Sequence, residues 1–230
     1  MLIQVEATVR ELARSPLLPF VEQRLHALMM DEQKRRAEFH RAVDAGDPRY
    51  DGKSIEFING EVIELMAVQN KHANAGENLF VLLRVWVNRD SLGQVNHEKI
   101  MISLSRNDYE PDICFWIKAK VAAFKPNQTR FPAPDFIVEV LSPSTKEIDR
   151  GIKFKDYAAH GVGEYWIVDP ERETIEQYFL KDEEYILSDA LSEGMITNRV
   201  IAGFQIPVRA IFDTAANFAA LQEIMARTQK

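Results

Sequence analysis

Apolar residues recur along the chain at two spacings, which predict a mixture of helices and strands. Between residues 21 and 43, and again between 70 and 88, they repeat about every 3.6 positions, as in amphipathic helices. Shorter apolar runs predict strands at 54–57, 61–66, 95–104, 113–117, 136–141, 165–168, 174–180 and 185–187. A short helix is predicted over 214–227.

Turn residues indicate how several of these strands are connected. Asn59-Gly60 stands between two extended runs, and this dipeptide is the strongest short-range signal for a β-hairpin. A second hairpin is predicted around residues 181–184. The polar stretch 105–110 predicts a turn between the strands at 95–104 and 113–117.

The segment 136–168 predicts a strand–helix–strand crossover. The strand at 136–141 is apolar throughout, as in strands that are buried on both faces. Ser144 and Glu147 form a capping-box pattern that starts a helix, which should run to about His160 and end at Gly161. Such units pair their two strands in parallel and with right-handed geometry.

Length and composition predict one domain with appendages. We divide the 230 residues into an N-terminal helical arm (1–50), a core domain (51–213) and a C-terminal helix (214–230). The apolar fraction of 46% is enough for a packed core, yet no apolar run approaches the ~20 residues that cross a bilayer, so no membrane partner is predicted. Cys114 is the only cysteine, which excludes an intramolecular disulfide and fits a cytoplasmic location.

Charge is distributed unevenly. The net charge of −7 argues against broad, non-specific binding to nucleic acids. The segment 118–156, however, contains eight basic and five acidic residues, whereas 164–193 contains ten acidic and two basic ones. The first segment is either a local basic patch or an ordinary solvated face.

Two acidic residues stand where neighbouring strands are predicted. Asp112 follows Pro111 at the start of one strand, and Glu139 lies inside the apolar run of another. Burying an unpaired carboxylate costs several kcal/mol, so Glu139 needs a cation, a partner or a raised pKa. Two carboxylates from adjacent strands suit Mg²⁺, which prefers oxygen ligands and can activate water against a phosphodiester.

The helix that follows Glu139 carries a second group of candidates. Asp149, Lys153 and Tyr157 are spaced four apart and therefore share one helix face. Because this helix returns over the sheet directly after the Glu139 strand, Lys153 can point back toward the acids. There it would orient water or stabilise the charge of a transition state. The alternative is an ordinary Asp–Lys pair on a surface helix.

These motifs together resemble a family of small endonucleases that is abundant in cyanobacteria and belongs to the PD-(D/E)XK nuclease superfamily. The resemblance covers about residues 56–212. It rests on Pro111-Asp112, Glu139-Val-Leu-Ser-Pro-Ser-Thr145, Asp149-Arg-Gly-Ile-Lys153 and Gly161-Val-Gly-Glu-Tyr-Trp-Ile-Val-Asp-Pro170, with support from Phe57-Ile-Asn-Gly-Glu61.

The resemblance implies a restriction-endonuclease-like α/β core, in which helices flank a mixed central β-sheet, with an extra N-terminal helix and β-hairpins. It implies Asp112, Glu139 and the backbone carbonyl of Val140 as ligands of Mg²⁺, with Mn²⁺ as a substitute. DNA is then the expected substrate, cut by a metal-activated water, and a homodimer is the expected assembly. The superfamily's usual lysine position falls on Leu141, which points to Lys153, or failing that Lys155, as the replacement.

Several residues and one further function remain open. Glu61, Glu98, Asp149 and Tyr157 are candidates for supporting roles, followed by Lys99, His72 and Glu77. A second Pro-Asp pair ends at Asp135, four residues before Glu139, and competes with Asp112. The alternative to an endonuclease is a catalytically inactive nuclease-like protein that binds nucleic acid or a partner.

Overall fold

The computed structural model of the chain describes residues 2–97 and 99–227, with side chains from residue 5 onward. The helices are α1 (Leu2–Ala13), α2 (Leu18–Asp44), α3 (Asn70–Arg89), α4 (Lys118–Val121), α5 (Lys146–Ile148), α6 (Phe154–Ala159), α7 (Arg209–Phe212) and α8 (Thr214–Ala226). The strands are β1 (Ile55–Ile58), β2 (Glu61–Glu64), β3 (Gly93–His97), β4 (Met101–Ser103), β5 (Asp108–Tyr109), β6 (Ile113–Ile117), β7 (Arg130–Phe131), β8 (Phe136–Val140), β9 (Glu164–Asp169), β10 (Thr174–Lys181), β11 (Glu184–Leu191), β12 (Met195–Thr197) and β13 (Gln205–Pro207). No helix in this part of the chain is both long and apolar enough to span a membrane.

A six-stranded mixed sheet forms the centre of the fold. Its strand order is β11-β10-β9-β8-β6-β3, and only β8 and β9 pair in parallel. The crossover predicted over 136–168 is therefore confirmed. The predicted second hairpin is also present, as β10 and β11. Helices lie on both faces, as expected for the predicted fold class.

A second sheet of five short strands packs beside the first, in the order β2-β1-β5-β4-β7. The hairpin predicted at Asn59-Gly60 is confirmed, since both residues have positive φ angles of 50° and 88°, as a type I′ turn requires. The single strand predicted at 95–104 is wrong. Strand β3 ends at His97, and Lys99 adopts a left-handed φ of 48°. The next strand, β4, pairs in the second sheet instead of extending β3.

Side chains alternate between the two faces of the central sheet. On β8, Phe136, Val138 and Val140 belong to a core shared with α3, α7 and α8. Ile137 faces the opposite side, where the aromatic core under the five-stranded sheet contains Tyr157. By the same alternation, Glu139 lies on the side between the two sheets.

The helical segment between β8 and β9 differs from the prediction at its start and in its middle. The predicted cap at Ser144 is wrong, because Thr145 occupies the N-cap position of α5 and makes no side-chain capping bond, while the Ser142 hydroxyl accepts a hydrogen bond from the Thr145 N–H at 3.2 Å in the turn before the helix. Asp149–Lys153 then form a π-helical turn between α5 and α6. Such turns hold one residue more than an α-turn and are frequent at functional sites.

Helix α2 is attached to the core by its C-terminal half. Arg36 donates two hydrogen bonds of 2.8 Å to the fully buried carboxylate of Asp108, and His40 lies 2.8 Å from the same carboxylate. Phe39 stacks against Phe57 of β1. These contacts fix residues 36–43 of α2 against the five-stranded sheet.

Candidate functional site

A cluster of charged side chains lies where β8 ends, between the two sheets. Asp112 Oδ2 accepts a hydrogen bond of 2.7 Å from the backbone N–H of Val140, the residue after Glu139. This bond ties the start of β6 to the end of the neighbouring strand β8. The Asp112 and Glu139 carboxyl groups therefore belong to one corner of the central sheet.

Lys153 occupies the middle of this cluster. Its ammonium nitrogen lies 2.8 Å from Glu56 Oε1, 3.2 Å from Asp149 Oδ1 and 3.3 Å from Glu139 Oε1. All four side chains are at most 3% exposed. Three buried carboxyl groups therefore surround a single buried ammonium group.

Glu56 is the member of the cluster that sequence reasoning missed. It stands on β1 in the five-stranded sheet and is fully buried. Its Oε1 also accepts the backbone N–H of Glu110 at 3.0 Å, while among the described residues its Oε2 has no hydrogen-bond partner. The available signal was an acid inside the apolar run Ile55–Ile58, the same signal that identified Glu139.

Two tyrosines of the aromatic core donate hydrogen bonds to Glu139 and Asp149. Tyr157 donates its hydroxyl to Glu139 Oε1 at 2.8 Å, and Tyr165 donates to the backbone carbonyl of Asp149 at 3.1 Å. The π-helical turn lets Asp149 and Lys153 face the cluster while Tyr157, on α6, still reaches Glu139.

Burial shifts the pKa values of these groups. Desolvation raises the pKa of Glu139 well above its usual range, although the nearby Lys153 opposes this change. The pKa values of Asp149 and Glu56 are raised for the same reason. Desolvation lowers the pKa of Lys153, but the attraction of Glu139, Glu56 and Asp149 outweighs it, so that pKa lies well above its ordinary value and the side chain is charged.

Asp112 is the acid of this group that meets solvent. Its side chain is 19% exposed, and His72 Nε2 of α3 lies 3.4 Å from its Oδ2. Both close contacts of Asp112, with Val140 N–H and with His72, use this one oxygen. An incoming ligand therefore meets the cluster from the Asp112 side, whereas Glu139 and Lys153 lie deeper.

The other residues that the sequence suggested lie elsewhere. Glu61 is exposed on the edge strand β2, and Lys155 is exposed on α6. Asp135 precedes β8 at its opposite end, where it accepts the Ile117 N–H at 2.9 Å and pairs with Lys120. Glu77 is exposed on α3, Lys99 donates to the carbonyl of Gly52, and Glu98 lies outside the described residues.

The glutamate of the motif at 161–170 has a structural role. Glu164 is fully buried, and both its oxygens accept hydrogen bonds, from Gln177 Nε2 at 2.6 Å and from the Arg199 N–H at 2.8 Å, among others. These bonds connect β9 to β10 and to the loop after β12. Glu164 is therefore satisfied locally, in contrast to Glu56.

The basic segment 118–156 does not form a continuous free cationic face. Three of its basic residues pair with acids at 2.6–2.9 Å, and a fourth is the buried Lys153. The pairs are Lys120–Asp135, Arg130–Asp44 and Arg150–Glu176.

The donor set suits a divalent cation of the Mg²⁺ type. In residues 2–97 and 99–227 no three His, Cys, Asp or Glu side chains are arranged as a ready-made metal cage. Mg²⁺ does not require one, because it is commonly held by one or two carboxylates while water and substrate oxygens complete its shell. Asp112, Glu139 and the Val140 carbonyl match this requirement. Burial raises the pKa values of Glu139, Asp149 and Glu56, and a cation bound beside these acids would favour their charged forms.

Comparisons with known proteins address the fold and the family of the chain. A crystal structure of a "putative nuclease belonging to DUF820" from Anabaena variabilis aligns with a TM-score of 0.60 at 19% identity, over 73% of this chain and 90% of that one. The type IIG restriction endonuclease BpuSI aligns with a TM-score of 0.35 at 16% identity, over 72% of this chain and 19% of that one. Among curated protein sequences, none matches significantly.

The alignment with the Anabaena structure shows that the fold is restriction-endonuclease-like, which confirms the predicted fold class. The family model described as "Uma2: Putative restriction endonuclease" matches residues 36–209. Because this match spans most of the chain and includes every residue of the buried cluster, the chain belongs to the Uma2 family.

Proposed function

We propose that this protein is a Mg²⁺-dependent endonuclease that hydrolyses phosphodiester bonds of DNA in the cytoplasm. One observation carries the proposal: Asp112 and Glu139 meet at the ends of adjacent strands, joined through the Val140 N–H, with the Lys153 ammonium 3.3 Å from Glu139. Two acids and a lysine in this relation suit metal-assisted phosphodiester hydrolysis. Membership of an endonuclease family supports the same reaction.

Each side chain has a distinct task in this proposal. Asp112, Glu139 and the Val140 carbonyl would hold Mg²⁺, which supplies a Lewis acid and lowers the pKa of water. Tyr157 keeps the Glu139 carboxylate in one orientation through its 2.8 Å hydrogen bond. Lys153 stands in for the lysine that Leu141 replaces, and its fixed charge would offset negative charge that develops on the phosphate.

The test is cleavage of supercoiled plasmid DNA by the purified full chain. We expect nicking with Mg²⁺ or Mn²⁺ and none after addition of a chelator. Asp112→Asn and Glu139→Gln are each expected to lower the rate at least about 100-fold, because each removes a charged ligand. Calorimetric titration of the same variants with Mn²⁺ reports ligand loss without requiring activity.

Asp135→Asn is the matched control, since it alters the other Pro-Asp pair at the far end of β8. This variant should keep the wild-type cleavage rate and Mn²⁺ affinity. Equal losses in Asp135→Asn and Asp112→Asn would refute the assignment of Asp112. Wild-type protein that binds DNA but neither binds Mn²⁺ nor cuts would establish the inactive binding protein instead.

A further inference from the structure

The N-terminal helices carry an apolar stripe that their own chain does not cover. We define the apolar stripe as Leu18, Val21, Leu25 and Leu28 on α2, which are spaced three and four apart. Leu25 and Leu28 are 52% and 49% exposed, and Met29 beside them is 60% exposed. Helix α1 likewise exposes Val5 and Val9, which share one face.

The apolar stripe lies on the helix face that packs on the core further along α2. Phe39 is eleven residues, about three turns, beyond Leu28 and therefore lies on the same helix face. Its side chain is buried against the five-stranded sheet. At about 1.5 Å per residue, the 27 residues of α2 extend for roughly 40 Å, so the first half projects beyond the surface that holds the second. The same face therefore packs on the core in the second half of α2 and is exposed in the first half.

The helices themselves indicate that a partner is needed. Isolated helices below ~12–15 residues are marginal in water, and amphipathic helices owe most of their stability to tertiary packing. Helix α1 has 12 residues, and all of its described side chains except Leu12 are exposed. The family match begins only at residue 36, so this exposed segment is an addition to the family's common core.

We propose that the apolar stripe and the Val5–Val9 face of α1 form the interface between two copies of this chain. Two copies contribute four helices, and such helices pack their apolar faces together into a bundle. Half-exposed side chains of this size supply roughly 500 Å² of apolar surface per copy. Flanking side chains bring this toward the ~800 Å² per partner of a standard interface.

Charge favours a second copy over a membrane. Residues 5–31 contain four acidic and three basic residues, a net charge of −1 out of the chain's −7. Two copies of this segment therefore repel each other little, because most of the negative charge lies in the rest of the chain. Amphipathic helices that bind membranes instead carry a face rich in lysine and arginine. Symmetric pairs of identical chains are the commonest oligomers of soluble proteins.

The experiment measures the mass of the full chain in solution by sedimentation equilibrium between 1 and 100 µM. The wild type should have twice the 26.4 kDa chain mass. Leu25→Asp combined with Leu28→Asp places charges on the apolar stripe and is expected to weaken self-association at least about 100-fold. The control, Gln23→Asp with Ala27→Asp, introduces the same residues on the opposite face of α2 and should remain dimeric.

Circular dichroism of both double variants at 1 and 100 µM keeps the test independent of folding defects. Both should retain the wild-type helix content of the core, and only the wild type and the control should show a melting temperature that rises with concentration. A wild type that stays monomeric at 100 µM overturns the proposal, and so does a stripe variant that stays dimeric. Monomeric protein that floats with phosphatidylserine vesicles would assign the face to a membrane and overturn it as well.

Discussion

Replacing Lys153 by methionine is expected to lower the free energy of unfolding by about 3–5 kcal/mol at pH 8. Methionine keeps much of the length and apolar character of the side chain but removes the ammonium that contacts Glu56, Asp149 and Glu139 at 2.8–3.3 Å. The three carboxylates then remain buried without their cation. Breaking a buried pair costs this much because the remaining charge is neither paired nor solvated.

This destabilisation should shrink as the pH falls. Burial raises the pKa values of Glu56, Glu139 and Asp149 even beside Lys153, and loss of the ammonium raises them further. A carboxyl whose pKa is higher in the folded state takes up a proton on folding. The folded state therefore gains stability as the pH falls toward the unfolded pKa near 4. When the folded variant binds one proton more than the folded wild type, the penalty shrinks by about 1.4 kcal/mol per pH unit, so at most about 1 kcal/mol of it should remain at pH 5.

Urea denaturation of wild type and variant at pH 8 and pH 5 measures both quantities. Lys155→Met is the matched control, because Lys155 is exposed on the same helix and its loss should stay within about 0.5 kcal/mol of the wild type. Adding Glu56→Gln to Lys153→Met removes one of the unpaired charges and should restore part of the stability at pH 8. A penalty for Lys153→Met that is the same at both pH values would refute the electrostatic reasoning and leave only a packing effect.

Three further predictions concern stability. Arg36→Ala should lower the free energy of unfolding by about 3 kcal/mol at pH 7, because it removes the bidentate partner of the buried Asp108. Since Arg36 lowers the pKa of Asp108, urea denaturation should show this loss becoming smaller as the pH falls below 4. Gly93→Ala should lower the free energy of unfolding by about 2 kcal/mol, because the new methyl group would overlap the Trp116 carbonyl oxygen; an unchanged melting temperature would contradict this. Burial raises the pKa of Glu110 to about 7, so stability is lost as the pH rises from 4.5 to 7. Glu110→Gln should therefore be more stable than the wild type at pH 8 by up to about 3 kcal/mol, and equal to it at pH 4.

Local signals predicted the parts of this fold that local interactions determine. Asn59-Gly60 identified the first hairpin because few residue pairs adopt two consecutive positive φ angles without strain. The apolar strand ending at Val140, the helix after it and the strand before Pro170 gave the parallel crossover. There the length of the connection and the handedness of the chain leave little choice.

Features that depend on tertiary contacts could not be predicted from the sequence. The run at 95–104 has the composition of one strand, but its two halves pair with different sheets, and a left-handed turn at Lys99 separates them. No local pattern distinguishes that break from a continuous strand. The π-helical turn at Asp149–Lys153 was missed for the same reason, since its sequence is compatible with an α-helix.

The candidate site shows the same division. Glu139 and Asp112 could be selected because each stands beside or inside a buried strand. The partnership of Glu56 with Lys153 joins residues 97 positions apart across two sheets, and only the assembled structure brings them to 2.8 Å. Sequence could indicate that Glu56 is buried, but not which cation it meets.

The π-helical turn also makes this segment unequally sensitive to changes in its length. Each residue of an α-helix advances about 100° around the axis, and the i→i+5 turn accommodates one extra residue. Deleting Gly151 would close the turn into ordinary α-helix, and Asp149 and Tyr157, then seven residues apart, would stay within about 20° of one helix face. Deleting a residue of α6 between Lys153 and Tyr157 would instead rotate Tyr157 about 100° relative to Lys153, so that both could no longer contact Glu139. The loss of a residue should therefore be tolerated better in the π-helical turn than in α6.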